Sequence, residues 1–171
     1  MRGVTIMDTA LIEKIIFVNK QNIPWAEVER YLKKYIGQEY TVAKTGDIIM
    51  IGTDFPDEFA ESKYTKSLRG NLAKAKANAA QVVGKMIVVA ENRRWVENKD
   101  KKHQKDAMGG WCRYDTFFAM PVQGSDEKQE RRNIYRATLL VRIALNGLYL
   151  YDIVNIKKEA SKPLKPSQAV R

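Results

Sequence analysis

The residues best equipped for chemistry crowd into one stretch, Trp95 to Val122 (WVENKDKKHQKDAMGGWCRYDTFFAMPV). It holds the single histidine, His103, the single cysteine, Cys112, and two of the three tryptophans. An unperturbed imidazole titrates near working pH, so a side chain of this type can take up a proton and return it. Gly109-Gly110 joins the charged first half of the stretch to an alternating run that carries Arg113 and Tyr114. Arg136 and Arg142 follow on another β-rich run. They have the same parity, with Thr138 and Leu140 between them, so both point to one face. Arginines on a sheet face can clamp a phosphate through paired hydrogen bonds. The plainer readings are a solvent-exposed histidine in a polar loop, and strand arginines paired with Asp115 or Asp152. Cys112 reads as a packing residue, and no nucleophile triad or phosphate-binding glycine loop is visible.

The elements that must position these groups follow from pattern. Apolar residues at Ile12, Ile15, Ile16 and Val18 predict a short helix over 7–20. A second helix is predicted over 24–36, with Pro24 in its first turn and Trp25, Val28, Leu32 and Tyr35 on one face. Runs 39–43 and 47–52, split by Lys44-Thr45-Gly46, predict a hairpin, and 53–58 a loop. Pro56-Asp57 and Glu61-Ser62-Lys63 are of the residue types found in metal-dependent restriction-type nucleases. The two pieces stand too close together for that chemistry.

The longest element is expected from near 62 or 65 to about 98. Its apolar stripe runs through Leu68, Leu72, Ala75, Ala79, Val82, Met86 and Val89, and a bend near Gly84 is admissible. Strands are predicted over 111–121, 134–144 and 148–156, with a polar loop over 122–132. Asn146-Gly147 is a strong hairpin signal, because a tight turn there needs positive φ at both central residues. The expected fold is α+β: helices covering an antiparallel sheet made of the N-terminal hairpin and a C-terminal three-strand meander. One domain is expected over 1–160, with a flexible tail over 161–171 and fraying from about 157.

The 171 residues carry a net charge of +10. Residues 61–110 hold twelve Lys/Arg against five Asp/Glu, so most of the excess is there. Such a balance points to a polyanionic partner, most often nucleic acid, contacted by Lys74, Lys76, Lys85, Lys101, Lys102 and Lys105. A solvated helix face is the competing explanation. One cysteine allows no internal disulfide, and one cysteine with one histidine cannot make the usual zinc sites. No metal or other cofactor is expected. No apolar run is long enough for a membrane helix and no signal peptide is recognisable, so a cytoplasmic protein is expected.

The strings KHQKDAMGGWCRYDTFFAMPV, NIYRATLLVR and NGLYLYDIVNIKKEASKPL, with DEFAESKYTKSLRGNLAKAKANAA upstream, resemble a domain of phage head-morphogenesis (MuF-type) and polyvalent proteins of mobile elements. The resemblance covers about 50–165. It implies a nuclease fold of the barnase/EndoU/colicin D/RelE-like type, with helices leading into an antiparallel sheet. It implies metal-independent cleavage of RNA by transesterification, with His103 moving the proton, Arg113 and Arg142 holding the phosphate, and Tyr114 or Thr138 orienting it. Partners would be RNA and an immunity or phage protein. The site of action would be the cytoplasm, including that of a host cell entered with a phage or mobile element. Two positions depart from the family pattern: Phe117 where a basic residue is common, and Ile143-Ala144 where a histidine is common. The alternative is a non-catalytic, basic nucleic-acid-binding or particle-associated protein that uses the long helix.

Overall fold

The computed structural model describes residues 8–19, 21–99, 103, 107–122 and 131–163. In chain order the elements are β1 (Ala10–Leu11), α1 (Trp25–Lys33), β2 (Glu39–Thr41), β3 (Ile48–Met50), α2 (Phe55–Glu61), α3 (Lys63–Ser67), α4 (Gly70–Ala79), α5 (Val83–Val88), β4 (Glu91–Val96), β5 (Trp111–Pro121), β6 (Arg131–Ala144) and β7 (Gly147–Pro163). A single 3-10 turn, Ala80–Val82, links α4 to α5. The class is α+β.

The strands form one sheet in the order β1-β5-β6-β7-β3-β2, with β4 also paired to β5. Strands β5, β6 and β7 are antiparallel neighbours, and Ala144 pairs with Gly147 across the Asn146-Gly147 turn. β2 and β3 are antiparallel. The sheet is mixed, not wholly antiparallel: β1 runs parallel to β5, and β3 parallel to β7. That correction follows from connectivity, because each of these short N-terminal strands joins a long strand far away in sequence.

One sheet face is packed by the helices. Tyr114, Phe118, Ala137, Leu139, Val141, Leu150 and Ile153 meet Ala75, Ala79, Val83, Met86 and Ile87 in the main core. Thr116 on this face donates its hydroxyl to the Met86 carbonyl (2.7 Å), fixing the end of α5 to the sheet. The alanines of α4 let helix and sheet approach closely.

Several expected elements differ. The segment 8–19 is not a helix. Ile12 pairs with β5 through the Ala119 carbonyl, and the Ile16 and Phe17 amides both donate to buried Asn78 Oδ1 (2.9 and 3.1 Å). Three of its amides are thus bonded from outside the segment, and only Ala10–Leu11 is strand. The loop expected over 53–58 is the start of α2, and Arg131 and Arg132, expected in a loop, belong to β6.

The long helix is several pieces. Leu68 and Arg69 are extended and Gly70 has φ +60, which ends one helix and starts the next. Its last residues, from Glu91, are strand β4. β7 continues to Pro163, where a fraying tail was expected, because β6 pairs with it that far. Among the described residues no helix is long and apolar enough to cross a membrane.

Candidate functional site

The sheet face opposite α4 and α5 carries a cavity of about 540 Å³. Trp111 and Arg113 of β5, Leu140 of β6 and Tyr151 of β7 form its floor, and Glu58, Glu61 and Lys63 of α2 and α3 form one wall. His103 lines it too.

A charged flank does not leave its histidine in solvent. His103 is 7% exposed, and its ring stands edge-to-face against Trp111 (5.2 Å between centroids) and Tyr151 (4.8 Å). Trp111 and Tyr151 are themselves 5.2 Å apart, so three rings close on one another. The plainer reading of His103 as a solvent-exposed loop residue is therefore set aside, the burial being supplied by the two aromatic residues. Asn98 locks the arrangement. Its amide donates to the His103 carbonyl (2.9 Å), and its carbonyl accepts from the Trp111 indole (3.1 Å).

The glycine pair makes the approach possible. Gly110 has φ +89, and a Cβ there would lie 2.6 Å from the Val96 carbonyl oxygen. Its neighbour Gly109 donates to the Ile143 carbonyl (2.9 Å). The chain thus turns from the His103 segment directly into β5.

Tyr151 reaches the cavity through an irregularity in the sheet. Leu140 pairs with Asp152 but Val141 with Leu150, so Tyr151 is an extra residue in β7. Tyr151 and Asp152 consequently both line the cavity, which simple alternation forbids. Burial, and then its hydrogen bond to the Glu58 carboxylate, push the Tyr151 phenol well up, so it is a neutral hydroxyl.

Asp152 lies at the base of the wall, where Lys76 from α4 meets it at 2.7 Å, with side chains 3% and 0% exposed. Lys76 also donates to the Thr65 hydroxyl and sits 4.6 Å from the Phe59 ring centroid. Burial pushes the Asp152 carboxyl up and the Lys76 ammonium down, each opposed by the attraction between the two. Close by, the Tyr64 hydroxyl accepts from the Ile156 amide (2.7 Å), so α3 caps the edge of β7 beyond its short pairing with β3.

The other residues singled out from sequence fall in four places. Arg113 lines the cavity, is half-buried, and has no carboxylate partner among the described residues. Arg142 is on the same face but outside the lining, held 3.3 Å from Asp54 and stacked 4.5 Å from the Tyr149 ring centroid. Thr138 lies in an adjacent depression with Arg94, Asp115 and Arg136. Tyr114 is on the opposite face, wholly buried, donating to Asp47 (2.6 Å). Strand alternation keeps it away from the cavity, so its expected role beside Arg113 is corrected.

Lys74 and Lys76 are buried and Lys85 is half-buried, so α4 and α5 present no basic face built on them. That expectation is corrected as well: the helical stripe taken for the core face is too narrow, and α4 is surrounded on almost all sides. Lys101, Lys102 and Lys105 lie outside the described residues. Glu58, Glu61 and Lys63 were not among the expected site residues. In sequence the Glu61-Ser62-Lys63 string reads only as a fragment of a metal site, and among the described residues no three His, Cys, Asp or Glu side chains cluster as metal ligands.

Comparison with protein-family models, curated proteins and solved structures finds no match to this chain.

Proposed function

We propose that this chain acts on RNA, taking one unstacked nucleotide into the cavity and cleaving the adjoining phosphodiester. The observation that carries the reading is that His103 and Arg113 line one cavity, with Trp111 and Tyr151 beside them. A base can stack on the half-buried Trp111 ring, since stacking is the usual means of holding an unpaired nucleotide. Arg113 supplies paired donors for the phosphate. His103 takes the proton from the 2′-hydroxyl, and the 2′-oxygen attacks phosphorus. The bond from phosphorus to the 5′-oxygen breaks, the leaving oxygen takes a proton from water, and the imidazolium releases its own to solvent. A 2′,3′-cyclic phosphate and a free 5′-hydroxyl result.

The sequence resemblance to the phage and mobile-element domains supports the same reading. With it come a barnase/EndoU/colicin/RelE-like arrangement of the fold, action in the cytoplasm of the producing or an invaded cell, and an immunity or phage protein as partner. Burial of Lys74 and Lys76 weighs against the alternative, binding without cleavage along the long helix.

Incubation of the purified protein with several RNAs in EDTA tests the proposal. Cyclic phosphate ends are expected, and His103→Ala should lower the rate roughly 10²–10⁴-fold. Arg113→Ala should lower it far more than Arg142→Ala, because Arg142 is already committed to Asp54 and Tyr149. Wild-type protein no faster than His103→Ala on every RNA would refute cleavage.

A further inference from the structure

Next to the cavity, on the same sheet face, is a second depression of about 540 Å³ lined by Arg94, Asp115, Arg136, Thr138, Asn155, Lys157 and Glu159. Two register pairs straddle the two hollows. Arg94 is opposite Arg113, and Thr138 is opposite Val154, where Arg113 and Val154 belong to the cavity. Arg113 and Asp115 are two residues apart on β5, roughly 7 Å along the strand. The hollows are therefore consecutive stations on one surface.

The second hollow is built, not incidental. Its floor is the regular β5–β6 ladder, and the strand on each outer side carries a bulge. In β4 the register shifts between Glu91 and Arg94, where Asn92 has φ 57. In β7 it shifts between Val154 and Lys157, where Asn155 has φ 54. Bulges bend and twist the strand that carries them. Positive φ is uncommon outside glycine, and asparagine is among the residues that tolerate it best. Two such asparagines flank the same two-strand floor.

Its chemistry is that of an anion site. Asp115, whose side chain is 8% exposed, meets Arg94 at 3.1 Å and Arg136 at 2.9 Å, and Asn92 donates to it at 2.9 Å. One buried carboxylate thus fixes two guanidinium groups that are themselves 41% and 48% exposed. Each guanidinium has five N–H donors, of which Asp115 and the Asn92 carbonyl occupy only part. Exposed Lys157 adds a third cation, against Asp115 and exposed Glu159.

We propose that this hollow is a phosphate subsite, which holds a neighbouring phosphodiester of the RNA strand whose nucleotide occupies the cavity. The inference rests on the reading of the cavity as a nucleotide site. It makes the substrate a single strand longer than a dinucleotide, lying across β5, β6 and β7. Binding in the hollow is electrostatic and independent of base, because its donors are arginine and lysine cations, which contact phosphate and carry no base readout.

Titration of the full chain with uridine 3′-monophosphate and with 2′-O-methyl uridylates of increasing length tests this, since the blocked 2′-oxygen prevents cleavage. Wild-type affinity should rise once the oligomer reaches the second hollow. Arg136→Gln and Lys157→Gln should each remove about tenfold of that gain, flatten its salt dependence, and leave mononucleotide affinity unchanged. Lys157 is exposed and has no ion pair among the described residues, so its substitution spares the fold.

Oligomer affinity equal to wild type in both variants, with mononucleotide and oligomer binding both lost in Trp111→Ala, would overturn the subsite alone. Binding that needs Arg136 and Lys157 but not Trp111 would overturn the cavity reading and sustain the hollow as an anion site. Absence of binding at every length would overturn both.

Discussion

Replacing Lys76 by methionine removes a charge from the interior and leaves its partner in place. The lysine Nζ lies 2.7 Å from Asp152, against the Thr65 hydroxyl and over the Phe59 ring, with no exposed side-chain surface. Methionine fills a similar volume, so packing is largely kept and the loss is electrostatic. An uncompensated carboxylate then remains among apolar groups, helped only by Ser62 and the Ile153 amide. Breaking a buried pair in this way costs about 3–5 kcal/mol, a large part of the roughly 5–15 kcal/mol that holds a domain folded.

The pH dependence follows. Burial already pushes Asp152 above its ordinary range, and loss of Lys76 pushes it further. A group whose folded pKa is raised contributes stability below its unfolded pKa, and that contribution is lost as pH rises through the folded value. Lys76→Met should therefore lie closest to wild type in mild acid and fall behind towards neutral pH. Urea denaturation followed by tryptophan fluorescence at both pH values measures the difference. Lys76→Met/Asp152→Leu should recover most of it, because removing both charges can be neutral or better. A single variant destabilised by less than about 1 kcal/mol at neutral pH, yet weakened in RNA binding, would refute the argument. It would return Lys76 to the surface role that its sequence context predicts.

Gly110→Ala forces a side chain into φ +89 and against the Val96 carbonyl, so a loss of about 1–3 kcal/mol is expected in the same denaturation assay; an unchanged midpoint would show that the hinge needs no glycine. Burial alone would raise the Asp115 carboxyl, but Asn92, Arg94 and Arg136 outweigh it and hold the group below its ordinary range. Its contribution is then present above the unfolded carboxyl pKa and lost as pH falls through the folded one, so Asp115→Asn should lose less stability on acidification than wild type. Parallel acid curves for the two proteins would show that Asp115 is not held by this network.

Much of the chain could be read without its structure because the signals were local. Pro24 and the Val28–Leu32 spacing announce α1, Asn146-Gly147 announces the β6–β7 turn, and alternation after Trp111 assigns Arg113 and Tyr114 to opposite faces of β5. Each rests on the geometry of neighbouring residues, which the sequence carries in full.

Other outcomes were set by atoms distant in the chain. Residues 8–19 form no α-helix, and Asn78 and Ala119 take backbone bonds of Ile12, Ile16 and Phe17, which nothing within the segment records. Lys76 is buried because Asp152, Thr65 and two aromatic rings surround it, although its position on α4 looks like a solvated charge. His103 becomes a cavity residue through Trp111 and Tyr151, and the latter faces it only because an extra residue in β7 breaks the alternation. Residue types and local periodicity determined which groups were available and the strands that carry most of them. Burial, charge pairing and strand register decided which of them meet, since these energies depend on neighbours that sequence order does not specify.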